Sequence, residues 1–218
     1  MRSLLHFVFL LAFMCVAHLP KGYAQQSFGH YENSVNLFNA GQTQQALNEV
    51  DKLLKIEPQN IDALYLRAYF YLSTEQKQKA LEDYTAILNL ETTHDGALTN
   101  RALLYMEEEK YDLAMTDINR RIKNDPKNWM ALYDRAYCHA LNNNYKDAIA
   151  DFEKVILYNP DYTPAYANMG FSKINLITQN GLLPTKADET TDACQDLKKA
   201  QSMGDTTVVK MIEKFCNH

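Results

Sequence analysis

Residues 129–162 read WMALYDRAYCHALNNNYKDAIADFEKVILYNPDY, and this stretch decides the fold. Apolar residues recur every three or four positions in both of its halves, which is the spacing of two amphipathic helices. The polar Asn142-Asn143-Asn144 separates the halves, and Pro160 follows the second one, where it cannot continue a helix. The stretch therefore predicts a helix, a short turn and a second helix.

The same pattern returns along the chain at equal intervals. Small residues mark one position of each hairpin half, as in the series Ala68, Ala102, Ala136 and Gly170, and the series Ala46, Ala80, Ala114 and Ala148. One ordinary helical bundle would not explain a fixed period. Residues 25–162 therefore predict an all-α protein, an α-solenoid of stacked antiparallel helix hairpins, with about four repeats at 27–60, 61–94, 95–128 and 129–162.

These features resemble the tetratricopeptide repeat (TPR) family. The resemblance rests on a small residue in the first helix, an alanine and an aromatic residue one turn apart in the second, and a closing proline. Within 129–162 these are Ala136, Ala148, Phe152 and Pro160. The resemblance implies hairpins whose first helices line a concave face, and in the family that face binds extended peptides or partner helices.

Arginine and aspartate follow the same period. The two series are Arg67, Arg101 and Arg135, and Asp83, Asp117 and Asp151. In a hairpin that turns midway between them, each arginine faces the aspartate of its own repeat. A catalytic cluster would converge in one cleft, whereas a pair that recurs once per repeat indicates three structural ion pairs.

Residues 163–218 predict a degenerate fifth repeat followed by a helical cap. A first helix is expected from near Pro164 to Thr178, and Thr185–Asp188 has the pattern of a capping box that opens the next helix. That helix is expected to end at Gly204, and a last helix is expected from Asp205 to Cys216.

Two cysteines of this cap lie opposite each other in an antiparallel hairpin that turns at Gly204. Cys194 and Cys216 are therefore predicted to form a disulfide, and two free buried thiols are the alternative. The pattern Ala-Cys-x-Asp-Leu-x-Lys-Ala also looks like the C-terminal hairpins of secreted repeat proteins from Bacteroidetes, some of them Sel1-like. The unpaired Cys138 is expected to fill the core, with His139 packed beside it.

Residues 1–24 predict a cleaved secretory signal peptide. Arg2 precedes the apolar run 4–17, and Lys21 and the small-residue tripeptide 22–24 follow it. The run is shorter than the roughly 20 apolar residues of a membrane span, although an uncleaved anchor remains the alternative. We therefore expect export to the periplasm or the exterior of a Gram-negative envelope, without stable membrane insertion after cleavage.

Composition and motifs exclude several function classes. The net charge of −5 does not favour nucleic-acid binding. The sequence contains no metalloprotease, serine-hydrolase, phosphate-loop or paired-cysteine motif. We therefore expect a protein without enzymatic activity, catalytic residues, cofactor or metal site.

The lining positions of the family, carried onto this chain, give a Tyr-rich concave face. Its residues are Tyr31, Phe38, Tyr65, Tyr69, Asn100, Leu103, Met106, Tyr133, Tyr137, Asn168 and Phe171. Chaperone-binding relatives clamp a terminal carboxylate with Lys, Arg and Asn, but this face has Asp62 and Asp134 and no Lys. An apolar or basic peptide segment is the expected ligand.

The preferred function is a non-catalytic, exported interaction scaffold with a protein or peptide partner. Two alternatives stay open. The first is a carbohydrate-binding accessory protein of the cell envelope, since aromatic faces also stack on sugars. The second is a self-assembling structural subunit, whose partner would be another copy of the chain in a homo-oligomer. A separate alternative for the concave face is that some of its tyrosines only pack against the next hairpin or are covered by residues 25–30.

Overall fold

The structure is a computed structural model that describes residues 21–179 and 190–216. Over these residues it contains eleven α-helices and no strand, which confirms the all-α fold class. The helices are α1 (Lys21–Asn39), α2 (Thr43–Ile56), α3 (Ile61–Ser73), α4 (Lys77–Leu90), α5 (Asp95–Glu107), α6 (Tyr111–Asn124), α7 (Trp129–Leu141), α8 (Tyr145–Tyr158), α9 (Thr163–Thr178), α10 (Thr191–Ser202) and α11 (Val209–Phe215).

The chain divides into two compact units, residues 1–92 and 93–218. Helices α1–α4 belong to the N-terminal unit, and α5–α11 belong to the C-terminal unit. In both units successive helices pair as hairpins. Three of these hairpins fall within the predicted repeats 61–94, 95–128 and 129–162.

The predicted signal peptide lies mostly outside the described residues. Helix α1 begins at Lys21, so the predicted cleavage point after Ala24 falls in its first turn. None of the described helices is long and apolar enough to cross a lipid bilayer.

The turns inside the first four hairpins share one conformation. Gly41, Glu75, Glu109 and Asn143 hold the equivalent turn position of successive repeats, and all four have a positive φ between 57° and 76°. The amide of the following residue donates to a carbonyl five residues back, as from Gln42 N to Leu37 O at 2.9 Å. This pairing closes the C-terminus of each first helix. Only Gly41 adopts the left-handed region without a Cβ penalty.

Small residues let the helices of a hairpin approach closely. The alanines of both periodic series are at most 1% exposed, and Ser34 holds the same position in the first repeat at 0%. Larger apolar side chains fill the space around them, with Phe152, Val155 and Met169 packed about Ala136 and Ala148 in the C-terminal unit. The period observed in the sequence is therefore the period of close helix contacts.

Gly170 occupies the place where the earlier repeats have serine or alanine, because α10 lies too close for a side chain. A Cβ built on Gly170 would stand 2.7 Å from Leu197 Cγ and 3.1 Å from the carbonyl oxygen of Ala193. At this position the cap therefore approaches α9 too closely for the side chains that the earlier repeats carry.

We expect Gly170→Ala to lower the free energy of unfolding by about 1–3 kcal/mol, because Leu197 and α10 must move to admit the methyl group. Urea denaturation checks this result. Gly29→Ala is the matched control, since nothing lies within 4 Å of a Cβ at Gly29 in α1. Because alanine favours a helix over glycine by about 0.5–1 kcal/mol, a gain in stability as large as that of Gly29→Ala would show that the cap has room at this position.

The cap differs from the prediction at the start of both of its helices. Helix α10 begins at Thr191, later than a start at the predicted capping box Thr185–Asp188. Helix α11 begins at Val209 instead of Asp205. The Asp205 carboxylate accepts hydrogen bonds from Thr207 N at 2.8 Å and from Thr207 Oγ1 at 2.6 Å, and this local turn competes with the helix. Helix α9 runs over Thr163–Thr178 as expected. The predicted capping box Thr185–Asp188 lies outside the described residues.

Cys194 and Cys216 form the predicted disulfide across this cap, with their Cα atoms 5.6 Å apart. The bond joins α10 to the residue that follows α11. Thr190 Oγ1 donates to the carbonyl of Phe215 at 3.1 Å beside it. Ile212 and Phe215 of α11 pack into the core of the cap.

Candidate interaction face

The periodic arginines form the predicted ion pairs. Arg101 donates through Nε and Nη2 to the two carboxylate oxygens of Asp117, at 2.7 and 2.8 Å. Arg67 with Asp83 and Arg135 with Asp151 have the same two-bond geometry. The three aspartates are between 1% and 4% exposed. Each pair joins the two helices of one hairpin. These charges therefore stabilise the individual hairpins and do not converge on a site.

A second ionic cluster was missed by the sequence analysis. Arg121 is 3% exposed and donates to Asp95 of α5, with Nε 2.9 Å from Oδ1, and to Asp134 of α7. A signal for it exists in the sequence, because the same position of the other repeats is apolar. The corresponding residues are Leu53, Ile87 and Val155. A lone arginine in an apolar series requires a charged partner.

Four aromatic side chains meet in the C-terminal unit, and we call them the aromatic cluster: Trp129, Tyr133, Tyr137 and Tyr162. Tyr133 contacts Tyr162 edge to face at 5.0 Å between ring centroids, and it stacks on Tyr137 at 6.3 Å. Trp129 lies 4.8 Å from Tyr162. Asn168 donates from Nδ2 to the Tyr133 hydroxyl at 2.8 Å. The structure thus brings together three predicted residues, Tyr133, Tyr137 and Asn168, and adds Trp129 and Tyr162.

One face of α7 exposes Tyr137 of this cluster together with other apolar residues, while Tyr133 on the same face is half-buried. Met130, Tyr133, Tyr137 and Leu141 follow at intervals of three and four residues, which places them on one side of the helix. We call these four residues the α7 stripe. Met130 is 51% exposed, Tyr137 40% and Leu141 39%.

Two predicted surface residues of the C-terminal unit are covered by neighbouring helices, Met106 fully and Phe171 in part. Met106 is 6% exposed and packs with Ala102, Ile118 and Cys138. Phe171 is partly buried against the cap, whose core includes Leu197. Both corrections have one cause, since the following hairpin covers these positions. Leu103 is 43% exposed, as expected, and Asn100 is half-buried.

The predicted residues of the N-terminal unit are mostly packed. Phe38 stacks on Phe70 at 4.4 Å and meets Tyr69 edge to face at 5.4 Å. Tyr65 contacts the buried Tyr84 at 5.7 Å, and Tyr31 is half-buried. Tyr69 is the exposed one of these predicted residues, at 54%. The open aromatic surface of this unit is therefore smaller than predicted.

The electrostatic environment of the aromatic cluster is negative. Burial raises the pKa of the Tyr133 hydroxyl, and the neighbouring Tyr162 and Asp134 raise it further. Burial also raises the pKa of Tyr162, with a further contribution from Asp134. These hydroxyls therefore stay protonated at neutral pH and act as hydrogen-bond donors and acceptors.

Cys138 and His139 have the packing roles that the sequence predicted. Cys138 is 1% exposed, and burial raises the pKa of its thiol to about 11, with a smaller effect from Asp112. Burial lowers the pKa of His139, which favours the neutral imidazole. A thiol in this state is a weak nucleophile. Among the described residues, no group of three His, Cys, Asp or Glu side chains has the arrangement of a metal site.

Comparison with known proteins identifies related sequences and folds. A family model described as a tetratricopeptide repeat matches residues 31–93 and 99–163. MamA from Desulfovibrio magneticus RS-1, residues 41 to its end, has a TM-score of 0.70 and 16% identity over 82% of this chain and 94% of that one. None of the curated proteins matches the chain.

Two further solved structures are similar. YrrB, described as a TPR protein with an unusual peptide-binding site, has a TM-score of 0.67 and 18% identity over 85% of this chain and 90% of that one. A tetratricopeptide repeat protein from Parabacteroides merdae has a TM-score of 0.62 and 22% identity over 92% and 86% of the two chains. At these identities the likeness shows the fold.

Proposed function

Because the chain belongs to the tetratricopeptide repeat family, a family of protein-interaction scaffolds, we propose that it is a non-catalytic scaffold that binds a peptide segment or a partner helix on the α7 stripe. The observation that carries this proposal is the exposure of Met130, Tyr137 and Leu141 on one side of one helix. Single exposed apolar residues scattered over a surface are normal, whereas exposed apolar residues grouped on one face indicate an interaction site.

The chemistry around the stripe suits a peptide. Tyrosine rings offer large, rigid contact area at low entropic cost, and tyrosine is enriched where binding energy concentrates. The Asn168 amide donates to the Tyr133 hydroxyl, and this hydrogen bond fixes the position of the Tyr133 ring in the stripe. The description of YrrB as a protein with a peptide-binding site supports this use of the fold.

The test begins with peptides of about a dozen residues selected from a displayed library on the immobilised protein. We expect Tyr137→Ala to weaken the best peptide about tenfold or more by calorimetry, because it removes an exposed ring at the centre of the stripe. Tyr158→Ala is the matched control, since Tyr158 of α8 is 41% exposed against 40% for Tyr137. We expect that control to bind within about twofold of the parent protein.

Unchanged affinity in Tyr137→Ala would contradict the proposed face. Binding of soluble glycans that this variant loses would favour the carbohydrate-binding alternative. A mass that rises with concentration in light scattering, and that this variant reduces, would favour self-assembly. Each alternative uses the same surface and differs in the occupant.

We also propose that the protein is exported and that its signal peptide is removed. Two features support this proposal: the basic residue, apolar run and small-residue end of residues 1–24, and the Cys194–Cys216 disulfide, a bond that persists in oxidising compartments. Intact mass of the protein from an envelope fraction is expected to correspond to a chain that begins at Gln25. A chain that still carries residues 1–24 would contradict cleavage.

A further inference from the structure

The ionic cluster beside the aromatic cluster is not neutral. Asp95 and Asp134 share the single guanidinium of Arg121, so the three groups together carry one net negative charge at neutral pH. The arginine side chain is 2% exposed, whereas the carboxylate-bearing side chains of Asp134 and Asp95 are 18% and 58% exposed. The positive charge is therefore buried, and the excess negative charge faces solvent.

One of the two carboxylates, that of Asp134, is carried by the same helix as the rings of Tyr133 and Tyr137. Asp134 follows Tyr133 on α7, and its carboxylate is close enough to raise the pKa of both Tyr133 and Tyr162. The negative face of each ring and the carboxylates thus attract the same kind of group. Tyrosine rings bind guanidinium and ammonium groups through their faces, and a carboxylate strengthens that binding.

The cations of the first helices do not offset this charge. In the described part of the C-terminal unit, Arg101, Arg135 and Lys173 of α5, α7 and α9 are each bonded to an aspartate of the next helix. Those aspartates are Asp117, Asp151 and Asp196. Among the first helices of this unit, the charge that is not balanced is therefore that of Asp95 and Asp134, and an apolar surface with this charge complements a partner that is apolar and positive.

We infer that the α7 stripe selects a partner peptide with an arginine or lysine side chain, which lies against the rings of Tyr133 and Tyr137 and is balanced by Asp95 and Asp134. This inference rests on the proposed function and specifies the partner's chemistry. The apolar positions of the peptide contact Met130 and Leu141, and the cation lies at the aromatic cluster. An acidic side chain at the same place meets a net negative charge and is rejected.

The experiment uses the library-selected peptides on the full chain. Enrichment of arginine or lysine is expected, and replacing the enriched arginine by citrulline, or the lysine by norleucine, is expected to weaken binding about tenfold. Asp95→Asn is expected to weaken the cationic peptide about fivefold and to leave the neutral analogue unchanged. This variant removes the excess charge but leaves Arg121 with Asp134, so the buried arginine keeps an ionic partner.

Glu213→Gln is the matched control, because it removes one charge from an exposed position of α11 outside the stripe. The outcomes separate the two proposals. Peptides that lose affinity in Tyr137→Ala but show no cation enrichment, or equal binding of the arginine and citrulline forms, overturn this inference and keep the proposed function. Selection of acidic peptides also overturns it. If the selected peptides bind Tyr137→Ala as tightly as the parent protein, or if no peptide is selected, both the proposed function and this inference are contradicted.

Discussion

Asp117→Ala is expected to lower the free energy of unfolding by about 3–5 kcal/mol, the largest effect of any single substitution considered for this chain. Asp117 is 1% exposed and accepts two hydrogen bonds from Arg101, whose side chain is 15% exposed. The substitution removes both bonds and leaves a largely buried positive charge without the carboxylate that balances it. Urea denaturation monitored by circular dichroism measures the loss.

Two variants separate this cause from a general effect of substitution. Asp112→Ala removes an exposed carboxylate from the same helix and is expected to cost less than about 1 kcal/mol, the size of a helix-dipole contribution. Replacing both partners, as Arg101→Met with Asp117→Leu, is expected to recover much of the stability, because no buried charge remains. A loss below about 1 kcal/mol in Asp117→Ala would show that the ion pairs are not structural.

Reduction of the Cys194–Cys216 disulfide is expected to lower stability by about 3 kcal/mol. The bond closes a loop between residues 22 apart, and the chain-entropy account gives this magnitude for loops of that size. Helix α11 has only seven residues, too few to be stable alone, so the bond and the packing of Ile212 and Phe215 hold it in place.

Denaturation of the parent protein with and without a reductant checks this expectation, and limited proteolysis is expected to cut near α11 only after reduction. The double variant Cys194→Ser with Cys216→Ser is the control. Its denaturation midpoint is expected to equal that of the reduced parent protein and to stay the same when the reductant is added. An unchanged midpoint of the parent protein under reduction would show that the disulfide adds no stability to the cap.

The repeated features of the fold were predictable because the residues that mark each of them recur several times in the sequence at the same spacing. A small residue at one position, such as Ala136, is weak evidence, but the same residue type three or four times at equal spacing indicates a helix contact. The same logic predicted the Arg101–Asp117 pair and its two equivalents, since arginine and aspartate recur with one separation.

The features that occur once were not predictable in this way. Arg121 binds partners 26 and 13 residues away, a combination that no other repeat shares among the described residues. Met106 has the register of a surface residue, and its burial depends on how closely Cys138 of the next hairpin approaches. The late start of α11 depends on a hydrogen bond between Asp205 and Thr207, which is a local choice between two conformations.

The candidate site was partly predictable for the same reason. The family register placed Tyr133, Tyr137 and Asn168 on one surface, and the structure joins them through ring contacts and a hydrogen bond. The family register did not indicate Trp129 or Tyr162. These two residues lie at the two ends of residues 129–162, and they meet only when α7 and α8 fold against each other. Sequence spacing alone also does not tell an open tyrosine, such as Tyr69, from the packed Tyr65.

Mapping a selected peptide onto the protein by amide chemical shifts tests the central claim most directly. The proposed face predicts that the shifted amides cluster on α7 around Tyr133 and Tyr137 and at Asn168 of α9, and that Tyr137→Ala abolishes the shifts at the same peptide concentration. Shifts that cluster instead on the exposed side of α6 or α8, or on α11 of the cap, would contradict the account.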